Sequence, residues 1–188
     1  MNVPDIKPED KERLAQKAYE LSYQYQQSKR CCSQSSTVAL LETLGLKEDG
    51  LFKASTGLAG GGALFCDSGC GAYTGGLLII GLLKGRGPEN FVVEERDRFR
   101  CFEIGRALHK KFIGKYGTVI CRDIMTNVYG RPFWMVDRDE YEKAEELGSH
   151  STVSPEVVGN GARWAVEVIF EENLLDELNA LRKKQAAA

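Results

Sequence analysis

The stretch CDSGCGAYTGGLLIIGLL, from Cys66 to Leu83, decides how this sequence is interpreted. Two cysteines stand close together among glycines, and the most apolar run of the chain follows them. A run of this length, ended by glycine and proline in residues 85–88, predicts a buried helix that begins near Gly69 and Cys70. The stretch therefore predicts a thiol site at the start of a central core helix.

The rest of the chain also shows helical spacing, and no segment alternates polar and apolar residues as a strand does. We expect an all-α fold, with one compact multi-helix domain over residues 1–185 around a glycine-rich apolar helix. Residues 186–188 are interpreted as a cloning remnant. The predicted helices cover residues 8–30, 32–44, 49–55 (a helix or a turn), 69–85, 88–115, 119–125, 140–147, 155–170 and 172–184, with a glycine loop at 57–65. The helix at 88–115 is expected to turn inward a face formed by Phe91, Phe99, Phe102, Ile104, Leu108 and Phe112.

Composition and charge exclude several classes of function. A chain of 188 residues with a net charge of −2 lacks the basic footprint of a nucleic-acid-binding protein. The first residues are charged and have no apolar segment of the kind found in signal peptides. The longest apolar run, Gly75 to Leu83, is about half as long as a membrane-spanning helix. We therefore expect a cytoplasmic protein that binds no nucleic acid and is not an integral membrane protein.

The six cysteines are the main candidates for chemistry, because cysteines in a reducing compartment more often bind metal or react than form disulfides. They are Cys31, Cys32, Cys66, Cys70, Cys101 and Cys121. Cys32, Cys70 and Cys121 fall at predicted helix starts, where free N–H groups and the helix dipole stabilise a thiolate or a thiolate-bound anionic cluster. Cys66 is expected either on the same helix face as Cys70 or in the loop before it. Cys101 is interpreted as core packing.

Glycines surround these cysteines. In residues 60–62 they let the backbone approach a bound group, and their N–H groups can donate to cluster sulfurs. Others lie inside the predicted core helix, where each costs about 1 kcal/mol relative to alanine, so that helix should pack very closely against its neighbours. Gly61, Gly69 and Gly71 are the glycines expected to contact a cofactor.

The two histidines are isolated in the sequence. His109 lies among lysines and is interpreted as part of a solvated helix face, as is the charged run at residues 94–98. His150 lies in a predicted loop, where a structural role is favoured over that of a ligand or proton donor. The histidines therefore add no strong site to the cysteines.

Four blocks follow each other in an order that is typical of one family. They are CSQSS at Cys32, GCGAYTGGLLIIGLLKG around Cys70, FIGKYGTVICRDI containing Cys121, and SPEVVGNGARWAVEVIFEE from Ser154. With its blocks in this order, the chain resembles the C_GCAxxG_C_C family of redox-active proteins. That family is related to the iron–sulfur domain of split-Soret cytochrome c. The resemblance implies a helical domain with clustered cysteines, an iron–sulfur cluster, an anaerobic type of redox function and a homodimer.

The resemblance carries over Cys32, Cys70 and Cys121 as cluster ligands. The family's last cysteine falls just before the proline that follows Ser154, so this chain has serine where a fourth ligand is expected. Either Cys66, Cys31 or Cys101 replaces that ligand, or the site has three cysteines, or the serine is an engineered replacement. There is also a smaller departure: the family name has alanine directly after the cysteine of GCA, whereas here the order is Cys-Gly-Ala.

Three functions follow from these observations. The first is an iron–sulfur redox protein for electron transfer or redox sensing, with a 2Fe–2S or 4Fe–4S cluster held by Cys32, Cys70, Cys121 and Cys66, and with an unidentified redox partner protein. The second is a thiol–disulfide redox protein that uses Cys66, Cys70 and Cys121. The third is a zinc-binding or structural interaction module, which the lack of a C-x-x-C pair disfavours.

Overall fold

The structure is a computed structural model, and it describes residues 3–92 and 97–187. Within these ranges the chain forms nine α-helices. They are α1 (Lys11–Lys29), α2 (Cys32–Leu44), α3 (Asp49–Ser55), α4 (Gly71–Lys84), α5 (Asp97–Tyr116), α6 (Cys121–Tyr129), α7 (Arg138–Glu146), α8 (Ser154–Glu171) and α9 (Leu175–Ala187). The described residues contain no strand, and their only β-pairing is an isolated bridge between Gly69 and Ile120. The predicted all-α fold is confirmed.

Helix α4 is the central helix, and it packs against α2, α5 and α8. Its Ile79 and Ile80 are buried, and α8 also packs along α1 and α2. A Cβ atom on Gly75 would lie 2.8 Å from the Cβ of Ser36 on α2, so the glycine lets these two helices touch. Although α4 is strongly apolar, no helix in the described part of the chain has both the length and the apolarity to span a membrane.

The predicted helix at 88–115 is wrong in its first part. Residues 88–90 form a 3₁₀ turn, and α5 begins at Asp97. Most of the charged run at residues 94–98 lies outside the described residues. The last residue of the segment 186–188 also lies outside them. The other predicted helices agree with the structure to within a few residues.

The predicted inner face of that helix is half correct. Ile104, Leu108 and Phe112 are fully buried, because their four-residue spacing keeps them on one side of α5. Phe99 and Phe102 fall on the other side, are 52% and 57% exposed, and pack edge to face on each other at 6.3 Å. Phe91, the remaining residue of the predicted inner face, also lies outside the core and is 75% exposed.

Candidate thiol site

Three cysteines stand at helix starts, as the sequence predicts. Cys32 and Cys121 are the first residues of α2 and α6, and Cys70 is the N-cap residue of α4. All three line the same cavity, which has a volume of about 90 Å³ and is called the thiol cavity below. A cavity of this size has room for several water molecules, at about 10–15 Å³ each. The fold therefore brings together three thiols that are far apart in the sequence.

The glycine loop between α3 and α4 is held by its own backbone hydrogen bonds, and its residues Ala59, Gly60 and Leu64 line the cavity. The N–H of Cys66 donates to the carbonyl of Gly60 at 2.9 Å, and the N–H of Ser68 donates to the carbonyl of Gly61 at 3.1 Å. The glycines at 60–62 all have positive φ angles, from +57° to +86°, which glycine adopts without steric penalty. This loop geometry sets where Cys66 and Cys70 enter the site.

A short backbone pairing joins the end of this loop to the start of α6. Gly69 forms the antiparallel bridge with Ile120, and the N–H of Cys121 donates to the carbonyl of Ser68 at 3.0 Å. The pairing holds Cys70 beside Cys121, and an ion pair between Asp67 and Arg122 at 2.7 Å joins the same two segments. Gly69, which the sequence predicts as a cofactor contact, acts in this structure as part of the bridge.

Two of the other glycines touch cysteines directly. A Cβ atom on Gly71 would overlap the Sγ of Cys32. A Cβ atom on Gly61 would lie 2.6 Å from the Cβ of Cys121 and 2.7 Å from the Cα of Cys66. The neighbouring Gly60 donates its N–H to the Sγ of Cys32 at 3.3 Å. The site is therefore built by close approach of the backbone to sulfur.

Burial governs the protonation of the thiols that line the cavity. It raises the pKa of Cys32, and it raises the pKa of Cys70 to about 12 although the N–H groups at the start of α4 act in the opposite direction. The pKa of Cys121 is raised because its thiol donates a hydrogen bond to Cys66 and because it is buried. The expectation that helix starts lower these pKa values is wrong, since removal from water destabilises a thiolate more than the N–H groups stabilise it.

Cys66 is the exception. Its pKa is lowered to about 7, chiefly because its thiolate accepts a hydrogen bond from the Cys121 thiol, with a further contribution from the N–H of Met135. Its Sγ is also placed to donate to the carbonyl oxygens of Leu64 at 3.5 Å and Phe133 at 3.7 Å, and it does not line the thiol cavity. It occupies the loop before α4 with a φ of +63°. Cys66 thus adjoins the three cavity thiols through Cys121.

The remaining sequence candidates lie elsewhere or have structural partners. Cys101 is half-buried beside Tyr73 and Leu77 in a surface groove, and Cys31 lines another groove. The ring of His109 packs against the ring of Tyr73, with 6.0 Å between the two centroids, so His109 is not merely a solvated side chain. None of these three candidates lines the thiol cavity.

Polar side chains from three other segments also line the thiol cavity. Ser154 is the first residue of α8, and the Nε2 of Gln26 on α1 donates to its Oγ at 2.9 Å. His150 lies in a π-helical turn, is buried, and pairs through its Nδ1 with Glu145. Ser154, which stands where the resemblance implies a fourth cysteine, is therefore at the cavity and carries a hydroxyl.

Gln26 is a cavity residue that the sequence did not single out. It is one of several glutamines near the end of α1. It differs from the exposed Gln24 and Gln27 in the face of the helix on which it lies. The helical spacing of buried Ala18 and Ser22 with Gln26 is the signal that could have placed it on the inner face.

The thiols share the cavity without converging on one point. In residues 3–92 and 97–187, no three side chains of cysteine, histidine, aspartate or glutamate are placed to hold a single metal ion. The three cysteines therefore share a cavity and do not form a preformed site for a single ion.

Comparison with known proteins identifies one family. A family model described as "Putative redox-active protein (C_GCAxxG_C_C)" matches residues 30–168. The matched range begins just before α2 and ends within α8, so it includes every cysteine of the site. No curated protein and no solved structure matches the chain.

Proposed function

Because this chain belongs to the C_GCAxxG_C_C family of redox-active proteins, we propose that it binds an iron–sulfur cluster in the thiol cavity and serves in electron transfer or redox sensing. One observation carries the proposal: Cys32, Cys70 and Cys121 begin three different helices and line the same cavity. Cysteine thiolates are the usual ligands of iron–sulfur clusters. When bound, such a cluster supplies the transfer of single electrons.

The protonation of the cavity thiols fits a metal-bound group. Burial raises the pKa of Cys32 and of Cys70, so these thiols are poor nucleophiles near neutral pH. A metal ion deprotonates a thiol that coordinates it, and burial no longer opposes the charge once the metal neutralises it. The N–H of Gly60 already points at the Cys32 sulfur and would stabilise the thiolate.

The ligands proposed are Cys32, Cys70 and Cys121, with Cys66 as the fourth candidate. Cys66 adjoins Cys121 and would have to turn its sulfur away from the carbonyls of Leu64 and Phe133 to reach the cavity. A cluster of several iron atoms takes its thiolates around its perimeter, which suits thiols that line a cavity without converging on one point. The redox partner protein, the homodimer and the cytoplasmic location stay predictions.

Iron and sulfide content tests the proposal. Protein purified without oxygen is expected to contain iron and acid-labile sulfide in stoichiometric amounts and to show sulfide-to-iron bands in its visible spectrum. Cys70→Ala is expected to lose these bands because it removes a cavity thiol, whereas Cys101→Ala should keep them because that thiol lies outside the cavity. A colourless, iron-free wild-type protein would contradict the proposal.

Thiol–disulfide exchange is a second candidate function, favoured by the interaction between the Cys66 and Cys121 thiols, which lowers the pKa of the first and raises the pKa of the second. Cys66 is only 5% exposed, so the loop before α4 would have to open before its thiolate attacked a disulfide of a partner protein, and Cys121 would then resolve the mixed disulfide. The products are a disulfide between these two cysteines and a dithiol on the partner, so two electrons and two protons pass to the partner. The low pKa of Cys66 supplies the attacking thiolate near neutral pH.

This second function predicts one early titration in metal-free protein. The thiolate absorbance in the ultraviolet is expected to rise with a midpoint near pH 7, because the pKa of Cys66 is lowered to about 7. Cys66→Ser should remove this step, while Cys101→Ser, whose thiol has a pKa raised by burial, should keep it. A titration step near pH 7 in the Cys66→Ser variant would show that another group is responsible.

A further inference from the structure

His150 places an imidazole ring at the thiol cavity beside the three cysteines. It lies in the π-helical turn before α8, is only 8% exposed, and lines the cavity as Cys32, Cys70 and Cys121 do. Cys66, the fourth candidate ligand, does not line the cavity. A neutral imidazole binds iron through a ring nitrogen without having to lose a proton, so His150 has the chemistry to complete a set of three cysteines.

One nitrogen of this ring is held by an acidic side chain. The Nδ1 of His150 pairs with the carboxylate of Glu145 near the end of α7, and among the described residues no hydrogen bond involves its Nε2. A histidine that binds a metal through one nitrogen almost always donates the N–H of the other to a carboxylate, a carbonyl or water, which fixes the tautomer and the ring orientation. Glu145 thus leaves Nε2 as the nitrogen with a free lone pair.

Neighbouring side chains fix the ring and its carboxylate partner. The ring of Tyr141 packs against the imidazole, with 5.7 Å between the two centroids. The Nη1 of Arg30 donates to the hydroxyl of Tyr141 at 2.9 Å and lies 3.4 Å from the carboxylate of Glu145. The imidazole is therefore supported by two side chains that Arg30 joins to each other, as the ligands of metal sites usually are supported.

The charge balance of the cavity favours an imidazole over a fourth thiolate. Helices α6 and α8 contribute mostly apolar side chains to its lining, namely Ile124, Met125, Val128, Val157 and Val158. Such surroundings penalise a negatively charged cluster, because an unpaired charge is costly to remove from water. A neutral imidazole in place of a thiolate removes one negative charge from the cluster. Arg30, which also lines the cavity, adds a positive charge beside it.

We propose that His150 is the fourth ligand of the cluster, binding iron through its Nε2 beside the three cavity cysteines, and that Glu145 positions its imidazole. The inference rests on the proposed function and deepens it, because it puts His150 in the place of Cys66. The four side chains line the cavity without converging on one point, which suits a cluster that is bound around its perimeter. With His150 as a ligand, the serine at position 154 no longer leaves the cluster one ligand short.

Isotope labelling of histidine tests the ligand directly in the wild-type protein. The protein is purified without oxygen from cells supplied with ¹⁵N-labelled or unlabelled histidine, its iron and acid-labile sulfide are measured, and the reduced cluster is studied by pulsed EPR. A nitrogen bound to iron couples to the electron spin more strongly than the amide nitrogens around the cluster. We expect one strong nitrogen coupling, whose signal changes from that of ¹⁴N to that of ¹⁵N on labelling.

Variants assign this coupling to one of the two histidines of the chain. His150→Cys is expected to keep the cluster, to lose the coupling and to have a lower reduction potential, because a thiolate replaces a neutral ligand. His109→Ala is the matched control, since its ring lies in a surface groove outside the thiol cavity, and it should keep the coupling and the potential. Cys66→Ala should also keep the coupling.

The outcomes separate the ligand from the cluster. Protein that contains iron and sulfide but shows no histidine coupling would overturn the inference and leave the proposed function intact. A coupling that persists in His150→Cys would also overturn the inference. Protein without iron and sulfide would contradict the proposed function and the ligand together.

Discussion

Gly71→Ala is expected to destabilise the protein by about 3 kcal/mol or more, the upper range for an overpacked core. Its Cβ atom would overlap the Sγ of Cys32 and would lie 2.6 Å from the backbone nitrogen of Ser33. These neighbours begin α2, so they cannot move without shifting the start of that helix away from α4. The substitution is therefore expected to displace the Cys32 thiol from the cavity as well as to weaken the fold.

Gly81→Ala is the matched control for this prediction. Gly81 lies in the interior of the same helix, and among the described residues its Cβ would have no neighbour within 4 Å beyond the adjacent residues and the backbone of its own helix. Alanine favours a helix over glycine by about 1 kcal/mol, so this variant is expected to be neutral or more stable than the wild type. Denaturant unfolding of both variants gives the free energies. Equal free energies of unfolding would show that the contact at Gly71 does not limit the packing of α4 on α2.

The positions of the three cavity cysteines could be predicted because the signals are local. A cysteine beside a glycine or serine turn and ahead of an apolar periodic run indicates a helix start in any tertiary setting. Cys70 follows Gly69 in this way, and Cys121 follows the turn at Gly117. That the three starts meet at one cavity was implied by the family resemblance, not by spacing, since it depends on how α2, α4 and α6 pack.

The protonation of the thiols could not be predicted from the same signals. Sequence shows which N–H groups lie near Cys70 but not how completely the folded chain removes it from water, and burial has the larger effect on its pKa. For Cys66 the decisive contact is with Cys121, a residue distant in sequence. The misassigned inner face of α5 has a related cause, because apolar residues such as Phe99 and Phe102 fit a helical pattern without facing the core.

Gly61→Ala is expected to cost about 2 kcal/mol more in the free energy of unfolding than Gly130→Ala, the size of an overpacking penalty. Both glycines have positive φ angles, +70° and +84°, so alanine carries a similar backbone penalty of about 1–2 kcal/mol at each. Only at Gly61 would the added Cβ meet protein, with Cys121 and Cys66 on either side. Subtracting the loss of unfolding free energy in Gly130→Ala from the loss in Gly61→Ala removes the backbone penalty. The difference is the cost of separating the two cysteines.

The thiols provide the second measurement on these variants. The atoms that crowd a Cβ at residue 61 are the Cβ of Cys121 and the Cα of Cys66, which cannot swing aside as the end of a flexible side chain can. Relief of the overlap must move the two cysteines apart, and the hydrogen bond that lowers the pKa of Cys66 then weakens. Its titration in metal-free protein is expected to move from near pH 7 toward the ordinary thiol range in Gly61→Ala and to stay in place in Gly130→Ala. A large loss of stability without this shift would mean that the loop yields elsewhere and that the two cysteines are held together by the bridge to α6 rather than by the glycine.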